Sequence, residues 1–114
     1  MRLIASLLLV LCAAFAAIAQ DYPTRPVRII VPYAPGGVTD IAARLIGNKL
    51  GEAWKQSVVV ENRPGGGGVV GTLAGVKATP DGYTLLAATI SEFAITPPLY
   101  KKFPFDPINM LRPA

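Results

Sequence analysis

A chain of 114 residues has room for one modest core. Its single cysteine, Cys12, and its lack of histidine exclude a disulfide framework, a zinc site built on Cys or His ligands and a histidine-based catalytic triad. The net charge of +4 is spread thinly over Arg25, Arg28, Arg44, Lys49, Lys55, Arg63 and Lys101-Lys102. That pattern offers no basic and aromatic platform for nucleic acid and argues for a small anionic ligand instead.

The N-terminus reads as a secretory signal peptide over residues 1–19. Arg2 supplies a positive start, Leu3 to Ala17 is uncharged and apolar, and Ala17-Ile18-Ala19 is a small-x-small cleavage signal. The apolar run falls short of the roughly 20 residues a bilayer crossing needs. Cys12 follows the bulky Leu11, so it reads as filler in the apolar run and not as a lipid attachment site.

Val27 to Val31 is a short β-branched run between Pro26 and Pro32, as expected of a central parallel strand. A turn at Ala34-Pro35-Gly36-Gly37 leads straight into a helix expected from Val38 to about Trp54. Ile41, Ala42, Leu45, Ile46, Leu50 and Trp54 form its expected inward face, and Asp40, Arg44, Asn48 and Lys55 its polar face. Asp40 and Arg44 also make an i, i+4 pair in the favourable acid-first order. A second strand is expected over Ser57 to Glu61, followed by a loop from Asn62 to Gly68. The next helix is expected over Val69 to Ala78, with Val69, Leu73 and Val76 inward and Gly71 and Gly75 permitting close approach to a neighbour. Thr79-Pro80-Asp81-Gly82 stops it with turn residues. Tyr83 to Ala88 is a third strand-length run, and Thr89 to Glu92 is a polar turn. Beyond it, prolines break up the chain, and residues 101–114 read as an irregular tail.

Strand, helix, strand, helix, strand with short connections predicts an α/β lobe with a three-stranded parallel βαβαβ sheet. Ligands of such sheets gather at the carboxyl ends of the strands, where both glycine loops and the Thr89 turn emerge. Three readings of the glycine loops stay open at this point. They are tight turns and nothing more, or part of an NAD-type enzyme domain, since Gly66 to Gly71 matches G-x-G-x-x-G without the acidic residue expected after the next strand. Alternatively, backbone amides at Gly36, Gly37 and the second loop receive a carboxylate at the positive end of a helix. Asp40 then either complements the helix dipole, orders a bridging water or selects an amine-bearing ligand. Tyr33 either covers the ligand or packs on the sheet edge.

Three motifs in order carry a resemblance. Tyr22-Pro23-Thr24-Arg25-Pro26-Val27-Arg28-Ile29-Ile30-Val31-Pro32-Tyr33-Ala34-Pro35-Gly36-Gly37 is followed by Asp40 and Ala43-Arg44. Then come Val59-Val60-Glu61-Asn62-Arg63-Pro64-Gly65 and Pro80-Asp81-Gly82-Tyr83-Thr84-Leu85-Leu86. Together they closely resemble the Bug (TctC-like) family, the extracytoplasmic solute receptors of tripartite tricarboxylate transporters. The resemblance implies a non-enzymatic, periplasmic receptor of the two-lobed Venus-flytrap kind, with no cofactor. Its implied ligand is a small carboxylate of the dicarboxylate, tricarboxylate or amino acid class, and its implied partner a membrane permease. By position, ligand contacts are implied at Tyr33, Ala34, Pro35, Gly36 and Gly37, at Asp40 through water, at Gly65, Gly66 and Gly67, and at Thr89 and Ser91. Members commonly carry a His and an Asn-Pro where this chain has Phe93 and Thr96-Pro97. Such receptors also run to roughly twice a typical domain or more, so residues 20–100 are expected to form the N-terminal lobe with the second lobe missing. A truncated fragment without autonomous ligand binding is the alternative.

Overall fold

The computed structural model describes residues 21–111, so the expected signal peptide, residues 1–19, lies outside the described part. Three parallel strands form one sheet in the order β2-β1-β3: β1 (Val27–Val31), β2 (Val58–Asn62) and β3 (Thr84–Leu86). Val27 pairs with Val58 and Val31 with Asn62 on one side; Arg28 pairs with Thr84 and Ile30 with Leu86 on the other. Helix α1 (Val38–Trp54) connects β1 to β2, and α2 (Val69–Val76) connects β2 to β3. The parallel α/β lobe expected from the sequence is therefore what forms.

β1 is central because its side chains are apolar on both faces. Val27, Ile29, Ile30 and Val31 are all buried, as befits a strand flanked by two neighbours and covered by helices. The one polar member, Arg28, reaches sideways to Glu61 at 3.2 Å. β3 is shorter than the apolar run suggests. Even so, the Ala87 N–H donates to the Ile30 carbonyl at 2.9 Å, carrying the pairing one bond further toward the Thr89 turn.

α1 meets the sheet with a face other than the expected one. Its buried residues are Asp40, Ala43 and Gly47, while Ile41, Leu45 and Ile46 are more than half exposed and Leu50 and Trp54 half-buried. The cause is distance. A methyl group at Gly47 would already stand 3.3 Å from Val58 Cγ1 and 3.5 Å from Ile29 Cδ1, so only small side chains fit where helix and sheet touch. The large aliphatic residues are displaced to the flank, leaving Val38, Ile41, Leu45 and Ile46 as an apolar stripe open to solvent.

α2 is closer still. A Cβ on Gly71 would lie 2.5 Å from both Pro32 Cα and the Arg63 carbonyl oxygen, and one on Gly75 3.2 Å from Leu86 Cδ1. Both glycines thus permit the close approach expected of them, but the fully buried residues of α2 are Gly71 and Thr72, with Val69, Leu73 and Val76 half-buried. The opposite end of the sheet is tied down by aromatic groups. Tyr22 sits edge-on to Trp54 and Tyr83, and Arg25 lies over the Tyr83 ring while pairing with Asp81 at 2.8 Å. Those contacts stand at the amino ends of the strands, leaving the carboxyl ends to the loops.

Candidate functional site

β1 ends at Val31, and the chain needs only Pro32 to Gly37 to turn into α1. Gly37 is the N-cap and carries no side chain to satisfy the helix amides. The first-turn N–H groups of a helix have no intrahelical acceptor and sit at its positive end. Beside them lies a cleft of about 470 Å³ lined by Tyr33, Ala34, Pro35, Gly37, Val38, Thr39 and Thr89. The fold therefore joins the first loop to the third in one wall. Gly36, Asp40, Gly65, Gly66, Gly67 and Ser91 are not part of that lining. A larger hollow of about 860 Å³ lies between α2, β3 and the C-terminal stretch, and like the smaller cleft it is lined by no charged side chain. It lacks the helix amides that make the smaller cleft suited to an anion.

Asp40 does not face the cleft with free acceptors. Oδ2 accepts from the Gly36 N–H at 2.9 Å and from Arg44 Nε at 3.0 Å, and Oδ1 accepts from Asn62 Nδ2 at 2.9 Å. Asn62 also donates to the Tyr33 carbonyl at 3.1 Å and accepts from Arg44 Nη2 at 2.9 Å. The network ties the first turn of α1 to the end of β2 and fixes the loop between them. Arg44 beside the carboxylate, the Gly36 amide and Asn62 together lower the Asp40 pKa from 3.8 to about 2. One consequence corrects the sequence expectation: the Gly36 N–H is bonded to Asp40 and is not free, so the open amides of this loop begin at Gly37.

A second buried carboxylate stands behind the cleft. Glu92 is 1% exposed. It accepts from the Tyr33 hydroxyl on Oε1, and on Oε2 from the Thr89 N–H at 2.7 Å and Thr89 Oγ1 at 2.9 Å. The Ser91 N–H in turn donates to Thr89 Oγ1 at 3.2 Å. Burial, and then the hydrogen bond to Glu92, raise the Tyr33 pKa above 10.0.

The second loop reaches this pair through Gly68. A Cβ there would be 2.7 Å from Glu92 Oε1 and 3.3 Å from the Tyr33 hydroxyl. Gly65 to Gly68 all have positive φ, and at Gly65 (φ 134°) and Gly68 (φ 98°) the backbone lies where side chains are rarely accommodated. It coils through one 3₁₀ turn into α2. The Gly66 and Gly67 N–H groups meet no acceptor among the described residues. Gly71, the last glycine of the G-x-G-x-x-G match, is spent on packing against Pro32 and Arg63.

Comparison with known proteins decides the family. The model of the tripartite tricarboxylate transporter family receptor matches residues 42–114. The chain belongs to this receptor family. It is 42% identical over 113 residues to a UPF0065 protein of Bordetella pertussis, covering 99% of this chain and 34% of that protein. A solved structure described as a periplasmic transporter is similar at 48% identity and a TM-score of 0.74, over 76% of this chain and 29% of its own. An R. palustris protein solved with adipate is similar at 38% identity and a TM-score of 0.72, over 75% and 29%. The chain spans about a third of the length of the curated relatives it matches.

Within the receptor family, sequence reasoning found the loops and missed their internal wiring. The sequence sets Glu92 in a polar turn without a role and Asn62 in a connecting loop. Glu92 did carry a signal, as the one acidic side chain in the largely apolar run Leu85 to Ile95 with no basic residue near it in sequence. Asn62 is legible only from the strand register that sets it opposite Val31.

Proposed function

We propose that the chain forms the ligand-holding N-terminal lobe of an exported, periplasmic receptor, which captures a small carboxylate and delivers it to the membrane permease of a tripartite tricarboxylate transporter. The observation carrying this reading is the uncapped start of α1 opening on the cleft, with Gly37, Val38 and Thr39 at its rim and Asp40 withdrawn into its own network. A carboxylate placed there takes backbone N–H donors at the positive end of a helix, with no cationic side chain required. Tyr33 and Thr89 form the side wall, and the amides of Gly66 and Gly67, which meet no acceptor among the described residues, stand outside that lining as donors for a ligand that extends to the second loop. The adipate-bound relative supports a carboxylate as the ligand class.

A receptor that closes two lobes over its ligand excludes water, which strengthens each polar contact. One open lobe leaves those contacts hydrated, so this chain alone binds weakly, with a Kd on the order of millimolar. Titration calorimetry of the chain against dicarboxylates and tricarboxylates tests the proposal. Weak heats that diminish with added salt are expected. An absence of heat at millimolar ligand contradicts autonomous binding by this lobe and favours a fragment that works only with further chain.

A further inference from the structure

Resting on the receptor reading above, we propose that Glu92 is a built-in carboxylate that occupies the donors of the third loop, so that the site favours ligands with one carboxylate over ligands with two.

The donors around Glu92 are the kind a ligand carboxylate seeks. The Tyr33 O–H, the Thr89 N–H and the Thr89 O–H all converge on its two oxygens, and both residues line the cleft. Each of these hydrogens is already directed at an acceptor, and the Ser91 N–H is directed at Thr89 Oγ1. A ligand reaching this corner therefore finds acceptors and apolar surface, with the donors turned away. The helix amides at the other side of the cleft remain open, so one carboxylate has a place and a second does not.

Charge points the same way. Glu92 takes part in none of the ion pairs found among the described residues. This contrasts with Asp40, which has Arg44 at 3.0 Å. A second ligand carboxylate set against Tyr33 and Thr89 meets hydroxyl and amide hydrogens already committed to Glu92, with no cation in contact among the described residues to hold two carboxyl groups side by side. The arrangement is also held in place: the absence of a side chain at Gly68 provides the room that Glu92 Oε1 and the Tyr33 hydroxyl use. Glu92 is thus a specificity-determining residue that acts through Tyr33 and Thr89 without touching the ligand.

Amide chemical shifts of the 114-residue chain, followed during titration with pentanoate and with adipate, test this. These two acids have the same reach on the binding side and differ in the far group. In the unmodified chain both acids should shift the Gly37, Val38 and Thr39 amides, adipate should bind no tighter than pentanoate, and the Thr89 amide should stay still. In Glu92→Thr the Thr89 and Tyr33 donors are released, and adipate should gain roughly tenfold relative to pentanoate, with the Thr89 amide now moving. Adipate binding the unmodified chain roughly tenfold tighter than pentanoate overturns the inference without any variant. So does an unchanged ratio in a folded Glu92→Thr chain. If neither acid moves the Gly37 to Thr39 amides, the receptor reading fails first and takes the inference with it.

Discussion

Two carboxylates are buried within this small lobe, and they are satisfied in opposite ways. Asp40 has a cation, an amide side chain and a backbone N–H around it. Glu92 has two hydroxyls and one backbone N–H, with no cation in contact among the described residues. Asp40 links the first helix to the second strand, so its work is architectural: it sets the curvature of the loop whose free amides face the cleft. Glu92 draws two cleft-lining residues toward itself, so its work is subtractive: it removes donors from the site. A carboxylate near a cleft rimmed by helix amides is therefore not by itself a statement about the ligand. What it has already bonded to decides whether it shapes the site or restricts it.

Substitutions can break either node, and their expected costs differ. The largest effect is expected from Gly68→Ala, which places a methyl group 2.7 Å from Glu92 Oε1 at a position with φ of +98°. Clash and backbone strain act together, and denaturant unfolding should show a loss of about 2–4 kcal/mol. Next is Glu92→Thr, which leaves the Tyr33 hydroxyl and the Thr89 N–H without their acceptor. Both donors belong to half-buried residues that line the cleft, so the cost is that of the lost hydrogen bonds, about 0.5–1.5 kcal/mol each, read in the same experiment. The same variant should also bring the Tyr33 phenol titration, followed by ultraviolet absorbance, down toward 10.0, because it removes the Glu92 acceptor that contributes to the upward shift.

Asp40 should reveal itself by pH. Its pKa is depressed from 3.8 to about 2 in the folded lobe, so its stabilising contribution is complete above 3.8 and is lost as the pH falls through about 2. Unfolding free energies measured from neutral to acidic pH should decline over that window in the unmodified chain. Asp40→Asn should remove this part of the acid decline, and a variant that keeps the full decline would assign it to other carboxylates. The smallest effect is expected from Arg44→Lys, which loses the fork that reaches Asp40 and Asn62 together. With its guanidinium about half exposed, Arg44 is screened by solvent, and the cost should be about 0.5–1 kcal/mol.

The sheet was legible because its signals are local: a β-branched run between prolines gave β1, and glycine loops marked where each helix begins. Gly71 and Gly75 were also readable, since two glycines one turn apart have few uses in a helix besides close packing. The buried face of α1 was not. Apolar periodicity favoured Ile41, Leu45 and Ile46, but contact distance to the sheet was decisive, and it admitted only Ala43, Gly47 and the small, well-bonded Asp40. Helical periodicity measures which side chains prefer to leave water, and it is silent on how near the neighbour stands. The site divides in the same way. Gly37 could be named from its place at a strand-to-helix turn, and Tyr33 and Thr89 through the resemblance to the receptor family. That the Gly36 amide is taken by Asp40, and the Thr89 amide by Glu92, depends on side-chain directions that spacing does not encode.

One measurement bears most directly on this division of labour: a residue-by-residue map of amide shifts when a simple monocarboxylate is added to the chain. Gly37, Val38 and Thr39 should move most and Gly66 and Gly67 should follow, while Gly36 and Thr89, already bonded to Asp40 and Glu92, should move little. Largest shifts at Gly36 and Thr89, or shifts confined to the apolar hollow around Phe93 and Ile108, would contradict this division.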